Sequence, residues 1–523
     1  MNIKVGILGD ARGWHLILGQ EGIPYETVNG ELTPENYSAV VASDDADDRE
    51  CEMLRQYLQL GGSVLCSSTV YARIRQSTYQ QTLIRYLLPD ADSAFADVGL
   101  IDVRARCRLA WNANELKTDA GVYSAHMGRH EAGNIVALPF DPSTVAFDFR
   151  SSFKSFYSPE DRLPFERVSF YNKSNIRRLV ARSLESLHHA RGLPFVHWWY
   201  FPKNAPSVGI LRVDTDEGTP DEIRQLHALA KELKVPMTWF VDVENQEPSL
   251  ETFKWMDSQE VGLHCYEHKV HEGYASAERD MKLGLTRLKE VNIQAAGYAA
   301  PYGRWDADVG RAVQNLGFEY SSEFSYDYDN LPSFPLLHGE ASKAVQIPVH
   351  PICIGSLKRQ GYFSEQMKSY FRYVVEEKLA AGEPLAFYHH PKDGNPEVLR
   401  SVVDAVRDRH VEFLTMKAFG GWWKKRSETS ADVEYSNRTL ALGNLKTAAD
   451  AWVEITLADG NETIVPPRSI IAIDSIHWER RINRRKIPHD YARCRRFNYR
   501  VPLTRGVDGL MGLLKRTKGG MSG

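Results

Sequence analysis

The stretch VGILRVDTDEGT, residues 208–219, joins an apolar run to a cluster of carboxylates. An apolar run of this length, followed by Gly and then by the helical spacing of PDEIRQLHALAKELK, is typical of a buried parallel strand that leads into a helix. The same alternation of strand and helix patterns continues to about residue 426. About seven such units with short loops predict a (β/α) barrel over residues 207–426.

Polar residues follow the apolar run of several predicted barrel strands. They are Asp214, Asp216 and Glu217 after the first run, His264 and His268 in HCYEH, Pro301, Tyr302 and Arg304 in APYGRW, and His389 and His390 in FYHHP. Because chemistry in such barrels sits at the carboxyl ends of the strands, we expect these side chains to converge.

Two imidazoles and one carboxylate suit a hydrolytic zinc site, which uses about three protein ligands and keeps one position open. A second carboxylate can then accept a proton from water, and a histidine can protonate a leaving amine. The alternative is a strand end without metal, in which His264 and His268 are ordinary polar residues and Asp216 caps the following helix.

Four stretches resemble motifs of the polysaccharide deacetylases, the NodB-homology group of carbohydrate esterase family four. VDTDEG resembles the first motif, HCYEH the second, APYG the third and FYHHP the fifth, in the same order along the chain. The resemblance covers residues 207 to about 426 and implies a (β/α)7-type deacetylase barrel. The third motif departs from the family pattern, because Ala299 stands where most members have an arginine. Arg304 is the candidate to supply that charge.

The resemblance also implies roles for individual residues. Asp216, His264 and His268 would bind Zn²⁺ or another divalent transition metal. Asp214 would be the general base, and His390 the general acid, with His389 as the alternative. The backbone N–H of Tyr302 would hold the oxyanion, and Arg304 and Glu323 would contact substrate or oxyanion.

Within this family the chain is most similar to the subgroup that deformylates a lipid-linked formylaminoarabinose. The implied activity is a metal-dependent hydrolase that removes an acetyl or formyl group from an amino sugar in polysaccharide or glycolipid synthesis. An N-acylated amino sugar, lipid-linked in that subgroup, is the expected partner. Two alternatives remain, namely a catalytically degenerate barrel that acts as a binding or scaffold module, and an amidase for a small molecule.

The remaining segments predict further domains. Residues 1–146 alternate strands and helices and predict a flavodoxin-like α/β domain that weakly resembles class I glutamine amidotransferases; Cys66 lies within a strand and is interpreted as a core thiol. Residues 147–206 are interpreted as a linker with a helix from about Ser174 to Arg191. Residues 427–476 predict a small all-β, sandwich-like module with a hairpin turn at ADGN. Residues 477–523 form a basic tail.

Charge is distributed unevenly along the chain. Residues 471–523 contain thirteen Lys or Arg and four Asp or Glu, a balance of +9, so the net charge of −4 leaves −13 for the remainder. Such a tail is typical of a solvated extension, of a contact with anionic lipid, or of nucleic-acid binding, which is the least favoured. The chain contains no apolar window of about 18 residues, starts without a signal-peptide pattern, and has scattered cysteines. We therefore expect a cytoplasmic protein that contacts the inner face of the membrane if the tail binds lipid.

Overall fold

The computed structural model describes residues 1–9, 12–78, 80–481, 485–488 and 490–502. The N-terminal elements are β1 (Val5–Leu8), α1 (Arg12–Glu21), β2 (Tyr25–Thr27), β3 (Ala39–Ala42), α2 (Asp48–Gln59), β4 (Ser63–Ser67), α3 (Ser68–Ile74), β5 (Gln80–Leu88), β6 (Ile101–Leu109), β7 (Glu115–Thr118), β8 (Tyr123–His130) and β9 (Gly133–Leu138). A connecting segment follows with β10 (Ser151–Ser155), β11 (Phe165–Ser169), α4 (Lys173–Ala190) and β12 (Phe195–Trp198).

The barrel region and the C-terminal module complete the chain. The barrel elements are β13 (Gly209–Asp214), α5 (Pro220–Leu233), β14 (Met237–Asp242), α6 (Val243–Gln246), α7 (Glu251–Lys254), β15 (Glu260–Cys265), α8 (Tyr274–Glu290), β16 (Gly297–Tyr298), α9 (Ala307–Asn315), β17 (Tyr320–Ser321), β18 (Leu336–Leu337), β19 (Glu340–Ala341), β20 (Val345–Gln346), α10 (Ile354–Arg359), α11 (Ser364–Ala380), β21 (Leu385–His389), α12 (Pro396–Arg407) and α13 (Met416–Ser427). The module contains β22 (Ser430–Ser436), β23 (Thr439–Lys446), β24 (Val453–Thr456), β25 (Asn461–Val465), β26 (Ile470–Ala472) and β27 (Glu479–Arg480).

The N-terminal sheet is parallel in one half and antiparallel in the other. Its order is β2-β1-β3-β4-β9-β8-β7-β5-β6, and the first five of these strands are parallel. This parallel half has the strand order of flavodoxin-like folds, which confirms the predicted fold class. Cys66 is fully buried within β4, and burial raises the pKa of its thiol well above the ordinary value. The interpretation of Cys66 as a core thiol is therefore confirmed.

The helix of the connecting segment packs into the N-terminal core. α4 covers the predicted helix, and Leu179, Val180 and Leu184 on it are fully buried against the apolar face of the N-terminal sheet. The side chain of Asn172 caps the helix by accepting a hydrogen bond from the N–H of Asn175. This segment, interpreted from sequence as a linker, thus forms part of the first packed layer of the protein.

The barrel sheet is curled, parallel and open. Its order is β20-β17-β16-β15-β14-β13-β21, so that the last strand of the region returns beside the first, with Gly209 opposite Leu385. The predicted (β/α)7-type fold is confirmed over the described residues. Parallel pairing brings the carboxyl ends of β13, β15 and β21 to one edge of this sheet.

The C-terminal module consists of two antiparallel sheets, β22-β23-β26 and β12-β24-β25-β27, as the predicted sandwich requires. It is a composite, because β12 comes from the connecting segment, and because the N–H of Ile3 donates to the carbonyl of Val433 at 2.7 Å. The predicted lipid-binding stretch of the tail, within residues 503–523, lies outside the described residues. Among those described, the helices lack the combination of length and apolarity that a membrane crossing requires.

A buried arginine lies where these parts meet. Arg426 of α13 is 2% exposed and donates hydrogen bonds to the carbonyls of Trp198, Trp199, Gln20 and Glu21. Burial lowers the pKa of Arg426 to about 10. One side chain therefore links the barrel, the β12 segment and the N-terminal helix α1.

Replacing Arg426 tests this junction. Arg426→Met leaves buried carbonyl oxygens without donors, and each unsatisfied group costs on the order of 1–3 kcal/mol. We expect the thermal unfolding midpoint to fall by several degrees, measured by calorimetry. Lys425→Met, on the exposed neighbour in the same helix, is the control. Equal midpoints for the two variants would contradict this role of Arg426.

Candidate metal centre

The carboxylate of Asp216 is the meeting point of three histidines. Its Oδ1 lies 3.3 Å from Nε2 of His264 and 3.4 Å from Nε2 of His268. Its Oδ2 lies 3.6 Å from Nε2 of His390. The strand ends that carry these residues belong to β13, β15 and β21, so the parallel sheet brings them together as the sequence predicts.

The turn after β13 holds Asp216 in an unusual backbone conformation. Asp216 has φ 38°, in the left-handed region, where a non-glycine residue costs on the order of 1–3 kcal/mol. Thr215 anchors the turn, because its N–H donates to the carbonyl of Phe240 at 3.0 Å and its Oγ1 accepts from the N–H of Asp242 at 2.9 Å. The N–H of Gly218 closes the turn on the carbonyl of Thr215. Strain of this kind is characteristic of functional sites.

The donor set of Asp216, His264 and His268 fits a metal ion. Nδ1 of His264 lies 2.6 Å from the carbonyl oxygen of Ala299, so Nδ1 donates to that oxygen, and Nε2, which faces Asp216, is the nitrogen available to bind a metal ion. Oδ1 of Asp216 is buried and lacks a hydrogen-bond donor within the described part of the chain. One ligand atom from each of the three residues lies within 4.8 Å of the others. A cation between these atoms would satisfy all three, as in a zinc site of mixed His and carboxylate ligands.

The electrostatics of the site favour a positive charge at this position. Burial alone raises the pKa of Asp216, but the imidazoles of His264 and His268 outweigh it, and the net pKa lies far below the ordinary value. Burial lowers the pKa of His264, while Asp216 and Asp214 raise it, and the net pKa is above the ordinary value. The carboxylate is thus ionised throughout the physiological range and attracts cations.

Asp214 is braced by an arginine on its own strand. Nε of Arg212 donates to Oδ1 of Asp214 at 2.7 Å and Nη2 donates to Oδ2 at 2.6 Å, a bidentate pair that is almost fully buried. Burial raises the pKa of Asp214. The positive charge of Arg212 and the other nearby groups outweigh burial, so that the net pKa lies below the ordinary value. Nη1 of Arg212 also donates to the carbonyl of Ser322. The charge for which Arg304 was the candidate therefore comes from Arg212.

His390 and His389 have opposite electrostatic environments. Burial lowers the pKa of His390, but its 2.8 Å hydrogen bond to Asp393 and the nearby Cys353 raise it well above the ordinary value. Burial lowers the pKa of His389 to about 4. The surroundings of His390, which faces Asp216, therefore favour its protonated form, whereas burial favours the neutral form of His389.

The other predicted residues have different positions. Tyr302 has φ 57°, is 60% exposed, and places its ring centroid 4.9 Å from that of His268. Arg304 is exposed at the surface two residues further on. Glu323 is fully buried, with its carboxyl against the hydroxyl of Ser321 at 2.9 Å. Because its carboxyl is buried, Glu323 cannot make the predicted contact with substrate.

Four residues that contact the site or its ligands' loops were not singled out from the sequence. They are Arg212, Asp280, Lys392 and Asp393. Asp280 accepts hydrogen bonds from the N–H groups of Tyr266 and Glu267 at 3.0 and 2.9 Å, which fixes the loop that carries His268. The strand period could have revealed Arg212, because residues 212 and 214 share one face of β13. Asp393 lies three residues after His390, where a turn brings the two together.

Comparison with known proteins finds similarity to solved structures. Neither a protein-family model nor a curated protein matches the chain. A probable polysaccharide deacetylase from Pseudomonas aeruginosa PAO1 is similar at 16% identity, over 43% of this chain and 93% of that one, with a TM-score of 0.38. PuuE allantoinase is similar at 16% identity, over 43% and 92%, with a TM-score of 0.36. A CE4 family pseudoenzyme from Bacillus anthracis is similar at 13% identity, over 53% and 92%, with a TM-score of 0.31.

Metal content tests the centre directly. We expect the protein reconstituted with Zn²⁺ to hold about one ion per chain, because a structural or catalytic zinc needs three or four such ligands. His264→Ala combined with His268→Ala should abolish binding in elemental analysis after gel filtration. His477→Ala, which removes an exposed imidazole of the β module, is the control. Equal zinc in both variants would exclude this centre.

The buried Glu323 predicts a pH dependence of stability. Burial raises its pKa to about 7 from the ordinary 4.5, so the folded state binds the proton more tightly than the unfolded state. That contribution is present below pH 4.5 and is lost as the pH rises to about 7. Glu323→Gln should therefore match the wild type near pH 4.5 and exceed it above pH 7 by up to about 3 kcal/mol. A thermal midpoint difference that does not grow with pH would contradict the buried neutral carboxyl.

Proposed function

We propose that the protein is a metal-dependent hydrolase that removes an N-acyl group, acetyl or formyl, from an amino sugar. The proposal rests on one observation: two groups whose pKa values are shifted in opposite directions lie beside the three candidate metal ligands. Asp214, whose pKa is lowered, and His390, whose pKa is raised, lie beside Asp216, His264 and His268. A base and an acid with separated pKa values are what amide hydrolysis requires.

The metal set would contribute Lewis-acid chemistry. Asp216, His264 and His268 would hold Zn²⁺ or a similar ion, which polarises an acyl carbonyl and lowers the pKa of a water molecule towards about 7. Asp214 would accept the proton from the attacking water, and its pair with Arg212 holds the carboxylate in place for that transfer. Both oxygens of Asp214 keep lone pairs beyond those that Arg212 uses.

His390 would deliver the proton that the leaving amine needs. Its Nδ1 is hydrogen-bonded to Asp393, so Nε2, on the side of Asp216, is the nitrogen free to donate. Cleavage of the C–N bond leaves an amine, and protonation at nitrogen prevents its return to the acyl carbon. His389 is a poor candidate because its pKa of about 4 leaves it neutral.

Tyr302 would contribute to recognition of the sugar. Its exposed ring beside His268 offers a flat apolar surface at the mouth of the site, and aromatic rings with one wet face are suited to such contacts. Its backbone N–H remains the proposed oxyanion donor. A lipid-linked sugar, a cytoplasmic location and lipid contact through the basic tail are parts of the same proposal that rest on the sequence.

A degenerate barrel that binds without hydrolysis is the second candidate. Its main support in the sequence is Ala299 at the position where the family has arginine. The Arg212–Asp214 pair supplies that charge from β13, which weakens this candidate. A small-molecule amidase would use the same side chains and differs in substrate alone.

Hydrolysis assays separate these candidates. The zinc-loaded protein, offered N-acetyl and N-formyl amino sugars, free and polyprenyl-phosphate-linked, should release acetate or formate. Asp214→Asn and His390→Gln should each lower kcat by about 10²–10⁴-fold, the usual contribution of an acid or base. His389→Gln is the matched control and should retain most activity. Zinc binding with no hydrolysis of any substrate would favour the binding module, and ring opening of cyclic amides, without release of acetate or formate from any sugar, would favour the amidase.

A further inference from the structure

A lysine shares the carboxylate of Asp216 with the histidines. Nζ of Lys392 lies 3.3 Å from Oδ2 of Asp216 and 3.9 Å from Oε2 of Glu217. The side chain of Lys392 is 34% exposed, whereas that of Asp216 is 11% exposed. The ammonium group therefore lies between a buried carboxylate and one that is 59% exposed at the rim.

The backbone around Lys392 is fixed, so the ammonium group can move between the two carboxylates only by rotation of the Lys392 side chain. Lys392 lies in the single turn Pro391–Asp393, in which the N–H of Asp393 donates to the carbonyl of His390 at 3.0 Å. Pro391 packs so closely on Gly218 that a Cβ at Gly218 would lie 3.2 Å from the proline ring. The turn and the loop after β13 thus hold each other in register.

We propose that Lys392 is an internal competitor of the metal ion for Asp216, and that Glu217 receives its ammonium group when the ion binds. This inference rests on the metal set of the proposed function and not on its hydrolytic activity. A divalent ion held by Asp216 and a lysine 3.3 Å from the same carboxylate repel each other strongly, because the site is mostly buried and poorly screened. Glu217 lies close enough to take Lys392 by side-chain rotation.

The two roles make distinct contributions to affinity. Lys392 stabilises the ionised Asp216 without metal, so it should lower the apparent affinity for the ion. Glu217 should raise that affinity, because it stabilises the displaced ammonium group. The effect of Glu217 therefore depends on the presence of Lys392.

Zinc affinity, measured by competition with a chromophoric chelator, tests the proposal in a double-variant cycle. Lys392→Met keeps most of the length of the side chain but removes its charge, and should tighten zinc binding by about tenfold or more. Lys392→Arg retains the charge and should stay near the wild type. Glu217→Gln should weaken binding several-fold in the wild-type background and have little effect in the Lys392→Met background.

The outcomes separate this inference from the proposed function. Unchanged or weaker zinc binding by Lys392→Met would overturn the competition. An equal effect of Glu217→Gln in both backgrounds would show that the Lys392 ammonium group does not move to Glu217. The carboxylate of Glu217 would then act only by attracting the ion through its negative charge. Absence of zinc binding in the wild type and in every variant would instead refute the metal centre itself. Circular dichroism spectra of the variants check that each is folded.

Discussion

A carboxylate that leaves water must gain a partner of comparable strength, and this constraint organises the protein. An unpaired buried charge costs several kcal/mol, so a buried carboxylate that stays ionised needs a cationic partner. Asp214 has Arg212, and Asp216 has the histidines and Lys392. At the junction of the domains, Glu21 is paired with the equally buried Arg177. The same requirement that assembles the site therefore also joins the N-terminal layer to the connecting helix.

The chemistry of the candidate site depends on neighbours more than on residue type. His389 and His390 are adjacent in sequence and both buried, yet their pKa values move in opposite directions, because the 2.8 Å contact with Asp393 belongs to His390. Arg212 acts in the same way on Asp214, where its charge outweighs burial. The proposed base and acid are therefore groups whose ordinary pKa values would not separate them so clearly.

The sequence predicted the parts of the site that follow from parallel strands, because carboxyl ends of such strands meet at one edge. Asp214, Asp216, His264, His268 and the pair His389 and His390 were selected in this way. Pairings across long distances in sequence were not found, since periodicity carries no information about them. Examples are β12, whose residue Phe195 pairs with Thr456, and the antiparallel half of the N-terminal sheet, where β5 (QQTLIRYLL) lacks a clear alternating pattern. Arg212 was missed because the family resemblance places the arginine that would brace Asp214 in the third motif, at position 299, and not on β13.

The N-terminal layer supports the barrel loop that begins at Ser322, one of the two residues to which Arg212 donates hydrogen bonds. The backbone of Ser322 accepts a hydrogen bond from Arg212, and the chain that follows is bound at several points from the N-terminal side. Three of these bonds are Gln20 to the carbonyl of Leu331 at 2.8 Å, Lys173 to the carbonyl of Tyr326 at 2.7 Å, and Arg177 to Asn330 at 3.0 Å. Their donors lie on α1 and α4, which pack on the N-terminal sheet. Because a loop fixed at both its start and its middle has few alternative conformations, the first 200 or so residues restrict where Arg212, and hence Asp214, can lie.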